Sequence, residues 1–350
     1  MSLAGRTSFH ALRVARIVQE TADARSFVLD VPPELRELFR YEAGQFLTFQ
    51  VEVGATTLNR CYSLSSAPDS GEEMQFTVKR VAEGRVSNWL HDEIREGHVL
   101  RALPPAGGFT LRPESRRPLA LFGGGSGITP VLSILKTALA TTMRPAKLVY
   151  ANRDAGSIIF RDVLGAIHGR HADRLALVHH LDAERGYLDE ARVRSEIGTW
   201  TREAEFYLCG PGPFMDLVAR VLHEEGVPGD RIFIERFEHL MIPLAPEEPA
   251  FANAGQGTLS PATITVHLDG ATHEIPYAAG DTLLQAARKA GLSPPSACED
   301  GYCGCCTATL VRGEVAMAQC HALDDDDRAQ GMILTCQARP TSGAIEVRWD

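Results

Sequence analysis

The sequence predicts a multidomain chain: a small antiparallel β-barrel, then a doubly wound α/β domain, then a compact β-grasp domain. Three observations predict it. Short β-rich runs separated by turn residues fill the first third, strand, glycine turn and helix alternate in the middle, and six of the eight cysteines crowd into the last quarter. At 350 residues the chain exceeds one average core, since a domain takes roughly 100–200 residues.

From His10 to Leu111 the runs ALRVARIV, RSFVLDV, QFLTFQVEV, MQFTVKRV and HVLRAL are punctuated by Pro32-Pro33 and Asp69-Ser70-Gly71, a spacing that suits a small barrel. One helix is expected among them, Ser87 to Glu96, with Trp89, Leu90 and Ile94 on one face and Gly97 as its stop. Past Pro118 the strands PLALF, KLVYA, EFYLCG and RIFIERF alternate with helices over VLSILKTALA, IIFRDVLGAI and PFMDLVARVLHEEG. That alternation predicts a parallel sheet. The expected boundaries are 8–113 for the barrel, 114–241 for the α/β domain and 263–350 for the last domain. A Pro, Gly, Ala and Ser-rich linker at 242–262 lies between the last two. After it, TITVHLD and THEIPY form a hairpin about Gly270-Ala271, and a helix over DTLLQAARKAG has Asp281 or Thr282 as N-cap and Gly291 as stop. Strands TATLVR and AIEVRW complete the set.

Composition narrows the function. Hydrophobic residues make up 44% and charged residues 23%, which is ordinary for a soluble globular protein, and no apolar run reaches the roughly 18 residues of a membrane span. The N-terminus shows no apolar core followed by a cleavage site, so a cytoplasmic protein is expected; a monomer is the expected state. The net charge of −10 disfavours nucleic acid as a partner. From Ala262 onwards twelve Asp and Glu face six Lys and Arg, which suits either a solvated surface or an acidic docking face.

The strongest motif is Cys298-x4-Cys303-x2-Cys306, with Cys336 following after 29 residues. This is the ligand spacing of a plant-type 2Fe-2S cluster, in which four thiolates complete two tetrahedral irons around bridging sulfides. Gly301 and Gly304 let the loop wrap with its amides turned towards sulfur. A zinc knot is the alternative, though it usually pairs two C-x2-C units. Cys305 and Cys320 fall outside the spacing and read as free thiols.

A second motif, Gly123-Gly124-Gly125-Ser126-Gly127-Ile128-Thr129-Pro130, joins strand PLALF to a helix. There, glycines admit a pyrophosphate close to the backbone and the helix N-terminus supplies donors and positive potential. It departs from G-x-G-x-x-G and lacks the lysine of a P-loop. A third, Arg60-Cys61-Tyr62-Ser63, ends a barrel strand; an Arg clamps phosphate, an aromatic stacks on a planar cofactor and a hydroxyl bonds its edge, but the tetrapeptide also suits an ordinary strand.

In this order the motifs resemble the ferredoxin-NADP reductase superfamily with a C-terminal ferredoxin domain. Arg60, Tyr62 and Ser63 match its flavin signature, beside Cys61. Val78-Lys79 and Gly84-Arg85-Val86-Ser87 look like its adjoining strand and flavin pyrophosphate segment. The turn through Gly124, Gly125, Ser126, Gly127, Thr129 and Pro130 matches its nicotinamide loop, and Cys209-Gly210-Pro211 its motif beside the nicotinamide ring. Glu235 and Phe237 match its terminal acid and aromatic. Within the superfamily, RCYSL, CEDGYCGCC and GMILTCQA resemble the reductase components of 3-ketosteroid 9α-hydroxylase and phenylacetyl-CoA epoxidase.

The resemblance implies electron transfer from NADH or NADPH through a flavin to the 2Fe-2S cluster at Cys298, Cys303, Cys306 and Cys336, and on to an oxygenase or hydroxylase of Rieske or di-iron type. Ser63, Cys209 and Glu235 would face the hydride transfer. FAD is favoured over FMN by the G-R-V-S-N-W segment, while an FMN-dependent dioxygenase reductase shares the domain order. Asn152 and Arg153, after KLVYA, are placed to read the adenosine ribose, leaving NADH or NADPH open. The contrasting reading is a redox-sensing or partner-binding module on a degenerate reductase scaffold.

Overall fold

A computed structural model describes residues 8–68, 70–237 and 263–349. The expected linker at 242–262 and Asp69 of the first expected turn lie outside the described residues. The chain divides into two compact units, the larger comprising Ala11–Leu58 and Tyr62–Glu238 and the smaller holding the C-terminal domain.

The barrel wall consists of β1 (His10–Thr21), β2 (Ala24–Asp30), β3 (Phe46–Val53), β4 (Thr56–Ser63), β5 (Met74–Lys79) and β6 (Val99–Ala102), in the order β4-β3-β6-β1-β2-β5. Alternating apolar residues point inwards, and Phe27, Phe49 and Phe76 make an aromatic core that, with Leu47, is fully buried. The barrel helix runs Arg85–Glu93, starting and stopping earlier than the expected Ser87 to Glu96. Gly84 ends the preceding turn as its N-cap, and Ile94 already has extended backbone.

The second sheet is parallel: β7 (Leu119–Gly124), β8 (Ala146–Asn152), β9 (Leu175–Leu181), β10 (Glu205–Cys209) and β11 (Ile232–Glu235), in the order β11-β10-β7-β8-β9. The order reverses between β7 and β10, which makes that crevice the topological switch point where open α/β sheets bind ligands. Strand β9, LALVHHL, is absent from the sequence expectation because its histidine pair breaks the apolar run that marked its neighbours. Helix Arg161–Arg170 begins later than the expected segment IIFRDVLGAI, because Phe160 takes a left-handed conformation (φ 62°) at its N-cap.

The C-terminal domain has β12 (Thr263–Leu268), β13 (Ala271–Pro276), β14 (Thr307–Arg312), β15 (Val315–Met317), β16 (Met332–Leu334), β17 (Ala338–Pro340) and β18 (Glu346–Arg348). Five of these form the mixed sheet β13-β12-β18-β14-β16, and β15 pairs with β17. Helix Leu283–Lys289 covers the sheet and is opened by a capping box, in which Thr282 Oγ1 accepts from the Gln285 amide while Gln285 accepts from the Thr282 amide. Thr282 is thus the N-cap of the two candidates.

Candidate cofactor sites

The cysteine loop holds its four ligand candidates as two pairs of buried thiols. Cys298, Cys303, Cys306 and Cys336 are 7, 5, 3 and 6% exposed. Cys306 and Cys336 stand with their Sγ atoms 3.2 Å apart, and the Cys303 amide donates to Cys298 Sγ at 3.3 Å. Cys298 and Cys305 donate their amides to Cys303 Sγ at 3.5 and 3.4 Å. This inward turn of the amides requires left-handed backbone, which Glu299, Gly301 and Gly304 adopt at φ 59, 79 and 72°. A Cβ on Gly301 would also approach the Gln319 carbonyl to 3.0 Å. Hydrogen bonding to the partner thiol, with burial, pushes Cys298 and Cys336 well above the ordinary thiol range. Such thiols become ligands only when cations stabilise the thiolates, and two pairs fit two irons with two thiolates each. Cys305 and Cys320 are partly exposed and lie outside the pairs.

In the α/β domain the switch-point crevice is formed by two loops in near contact. Cys209 of β10 is the register partner of Gly123 on one side and of Glu235 on the other. A Cβ on Gly127 would fall 2.1 Å from the Cys209 carbonyl oxygen, one on Gly124 2.8 Å from Pro211 Cδ, and one on Gly210 3.0 Å from Gly124. Glycine is therefore required first by loop against loop. Gly125 differs: it is left-handed (φ 52°), and the nearest atom to a Cβ there is Lys79 Nζ at 4.0 Å, so this residue keeps an open face. The Tyr150 hydroxyl, missed in the sequence, donates to the Gly125 carbonyl at 3.0 Å. Thr129 Oγ1 donates to the Ser126 carbonyl, and Thr129 and Pro130 are buried in the first turn of helix Ile128–Thr141, whose leading amide, that of Ile128, bonds back to the Gly125 and Ser126 carbonyls.

Cys209 is fully buried, and burial followed by the charge of Glu235 pushes its thiol far up, so it presents backbone and bulk rather than a thiolate. Glu235 ends β11 partly buried, and Phe237 is 44% exposed. Asn152 is 4% exposed, with both its amide atoms unpartnered among the described residues. Arg153 extends into solvent beside Asp154 at 3.3 Å.

On the barrel, Arg60, Cys61, Tyr62 and Ser63 lie on β4. Ser63 is 3% exposed, and its Oγ has no hydrogen-bond partner among the described residues. A buried unpaired hydroxyl is costly, which fits a group that accepts a bond from a bound molecule's edge. Tyr62 packs its ring against the Phe49 and Phe76 pair, at 6.2 and 5.9 Å. Ser87, 6% exposed, bonds the Gly84 carbonyl from the first turn of its helix; a Cβ on Gly84 would lie 2.4 Å from Ser87 Oγ. Arg85 donates to the Val53 carbonyl at 3.3 Å. The Val78 and Val86 side chains belong to the barrel core, so only their backbone is available to a ligand; Lys79 reaches out past Asp23 at 3.7 Å.

Comparison with known proteins settles what these features belong to. Residues 11–111 match the family of oxidoreductase FAD-binding domains, 121–220 that of oxidoreductase NAD-binding domains, and 266–341 that of 2Fe-2S iron-sulfur cluster binding domains. The ferredoxin reductase component of 3-ketosteroid-9-alpha-monooxygenase from Rhodococcus rhodochrous is 41% identical over 97% of this chain and 96% of its own. The chain belongs to the family of flavin and 2Fe-2S reductase components of oxygenase systems. A component of 1,2-phenylacetyl-CoA epoxidase from Escherichia coli is 33% identical to this reductase over 98% of both chains. The solved phthalate dioxygenase reductase superposes with a TM-score of 0.60 at 27% identity, covering 97% of this chain and 98% of that one. This reductase is an FAD-, NAD- and 2Fe-2S-binding oxidoreductase of that three-domain fold. No helix among the described residues is long and apolar enough to cross a membrane.

Proposed function

We propose that this reductase binds NAD(P)H in the β7–β10 crevice, holds FAD against β4 and the Gly84 turn, and passes electrons singly to an oxygenase through a cluster at Cys298, Cys303, Cys306 and Cys336. The paired burial of these four thiols, with amides aimed at sulfur, carries the reading. FAD, when bound, takes two electrons together as hydride and releases them one at a time, which links a two-electron donor to a one-electron centre. The chain's own residues orient and exclude water. Gly124 to Pro130 and Cys209 to Pro211 bound the nicotinamide site, with Asn152 towards the ribose. Ser63 offers its unpaired hydroxyl to the flavin edge, Arg60 and Lys79 face its phosphates, and Glu235 and Phe237 close the hydride site. The domain boundaries proposed are 8–113, 114–241 and 263–350, with the linker at 242–262. Arg153 meets Asp154 only through Nε, at 3.3 Å, so its terminal amino groups point into solvent and either NADH or NADPH suits the site; comparing KM for the two decides between them.

The purified protein is expected to be brown, with flavin and 2Fe-2S absorption bands and steady NADH-dependent cytochrome c reduction. Zinc in place of iron and acid-labile sulfide overturns the cluster. Arg60→Ala should purify depleted of flavin, since a charge-assisted phosphate contact is worth about 1.5–3 kcal/mol, roughly ten- to a hundredfold in affinity. Full flavin occupancy in that variant moves the phosphate site elsewhere. The names of the relatives point to a monooxygenase or epoxidase component as acceptor. NADH-driven turnover of candidate oxygenase components by the full chain tests it.

A further inference from the structure

The segment 103–118, which carries the chain from β6 to β7, is fastened on both sides, and on the α/β side it is held by buried groups that no motif contains. On the barrel side the Leu103 amide donates to the Thr48 carbonyl at 2.9 Å, Phe46 and Ala106 form an antiparallel bridge, and the Leu111 amide donates to the Ala43 carbonyl at 3.2 Å. The approach is close enough to require glycine at position 44, where the backbone is left-handed (φ 103°) and a Cβ would fall 1.9 Å from the Phe109 carbonyl oxygen.

On the α/β side the guanidinium of Arg144, just ahead of β8, directs its three nitrogens to three partners. Nε donates to the Arg117 carbonyl, Nη1 to the Arg112 carbonyl at 3.4 Å, and Nη2 to Glu205 Oε2 at 2.5 Å. Both side chains of the ion pair are 3% exposed. Two charges persist in a buried place only where their hydrogen bonds are satisfied, and here those bonds reach both ends of the bend 112–117. Tyr207 of β10, fully buried, donates its hydroxyl to the Thr110 carbonyl at 3.3 Å and accepts the Arg112 amide at 3.4 Å. Its ring meets Phe109 edge-on at 5.5 Å and stacks on Phe233 of β11 at 4.6 Å, and the Arg112 guanidinium lies over the Phe233 ring at 4.4 Å.

Tyr207 and Phe233 are register partners, and two residues further along the same strands the partners are Cys209 and Glu235. Side chains two apart on a strand share a face, so the residues gripped by the segment and those assigned to the hydride site stand on one side of the sheet. With the nicotinamide site taken as the β7–β10 crevice, we propose that Arg144 and Tyr207 are positioning residues for hydride transfer: they pin the segment 103–118 to β10 and so fix where Cys209 and Glu235 stand against the flavin barrel. Neither residue touches a reacting atom. Their effect is on the alignment of nicotinamide and flavin, on which the transfer rate depends steeply.

Tyr207→Phe and Arg144→Lys, made in the full-length holoprotein, test this by stopped-flow flavin reduction over a range of NADH concentrations, with thermal midpoint and flavin content measured alongside. Tyr207→Phe keeps the ring and its stacking but loses both bonds to the segment. Arg144→Lys keeps a cation for Glu205 but not the planar fork that reaches the two carbonyls as well. Each variant is expected to lower the limiting rate of flavin reduction about tenfold, with the Kd for NADH from the same titration within about twofold of the parent and flavin content unchanged. A lower thermal midpoint with an unchanged limiting rate would show a purely structural role and overturn the proposal, as would a raised Kd with an unchanged rate. Should Arg144→Lys fail to fold, Tyr207→Phe, which removes one hydroxyl, carries the test alone on the same outcomes. Gly127→Ala separates the anchor from the site it serves. If that variant binds NADH as the parent does, the nicotinamide site itself is misassigned; if it binds NADH more weakly while Tyr207→Phe and Arg144→Lys keep the parent rate, only the anchor fails.

Discussion

At the scale of single residues, the cysteine register was the most legible feature, because a cluster fixes the identity and spacing of its ligands within one short loop and one return strand. Cys306 is buried against Cys336 whereas its neighbour Cys305 is partly exposed, so adjacent residues of one type have opposite fates. Cys306→Ser should therefore abolish or destabilise the 2Fe-2S absorption and EPR signals, while Cys305→Ser should keep both; the reverse would shift the register by one. The orphaned Ser63 hydroxyl and the inward Asn152 amide were legible only as residue types, since burial without a partner depends on strands distant in sequence. His91 was not legible at all. It is 2% exposed, its Nε2 lies 2.9 Å from the Val78 carbonyl, and burial, with the charges of Arg80 and Arg25 acting in the same direction and Asp92 against it, lowers its pKa. A histidine whose folded pKa lies below its unfolded value of about 6.5 favours the neutral ring in the fold. Its penalty is absent above that value and grows as pH falls through it towards the folded pKa. Flavin release by urea should thus occur at lower urea at pH 5.5 than at pH 7.5, and His91→Gln should show a smaller drop. Equal drops in both proteins would assign the acid sensitivity to other groups.

Elements were legible where period and punctuation agreed. The barrel runs, the glycine turn and the capped helix after Thr282 all follow from local pattern, which is why their positions needed corrections of only a few residues. Strand β9 and the short β15, β16 and β17 escaped because they are held by pairing with distant neighbours rather than by their own alternation. The glycine loop shows what sequence pattern leaves out. Glycines at 124, 127 and 210 suggest room for a pyrophosphate, yet their hydrogens face the opposing loop, and only Gly125 keeps an open face. Gly127→Ala is the cleanest probe, because Gly127 has an ordinary helical backbone (φ −62°) and any effect is steric. Its new methyl group must push the Cys209 carbonyl aside, an overpacking that costs about 1–3 kcal/mol. The expected result is a lower thermal midpoint and a raised KM for NADH with flavin content unchanged. Unaltered stability would mean that the two loops part easily, and the close contact would then contribute little to the site.

For the whole molecule, the acceptor is expected to meet the 2Fe-2S domain rather than the flavin. The C-terminal region carries twelve acidic against six basic residues, and Asp325 of its acidic run has a side chain 91% exposed. Part of that run is structural: Asp324 and Asp327 cap each other's turn and Asp325, though exposed, pairs with Arg328, while Asp326 stands exposed beside it. Domain order was legible from motif order alone, but what each domain hands to the next depends on surfaces that no motif records. Cutting the chain near Gly255 should leave a flavoprotein that oxidises NADH with ferricyanide, which takes electrons from flavin directly, but cannot support its oxygenase. With the intact chain, oxygenase reduction should slow as salt rises, because the Debye length shrinks from about 10 Å at 0.1 M to about 3 Å at 1 M and steering by exposed charge fades with it. Ferricyanide reduction at the flavin serves as the internal control, reporting any effect of salt on hydride transfer itself. A truncated protein that sustains oxygenase turnover at the full rate would place the cluster off the electron path. A salt-independent rate with the intact chain would instead keep the cluster on the path and transfer recognition from acidic residues to apolar contacts around the cysteine loop.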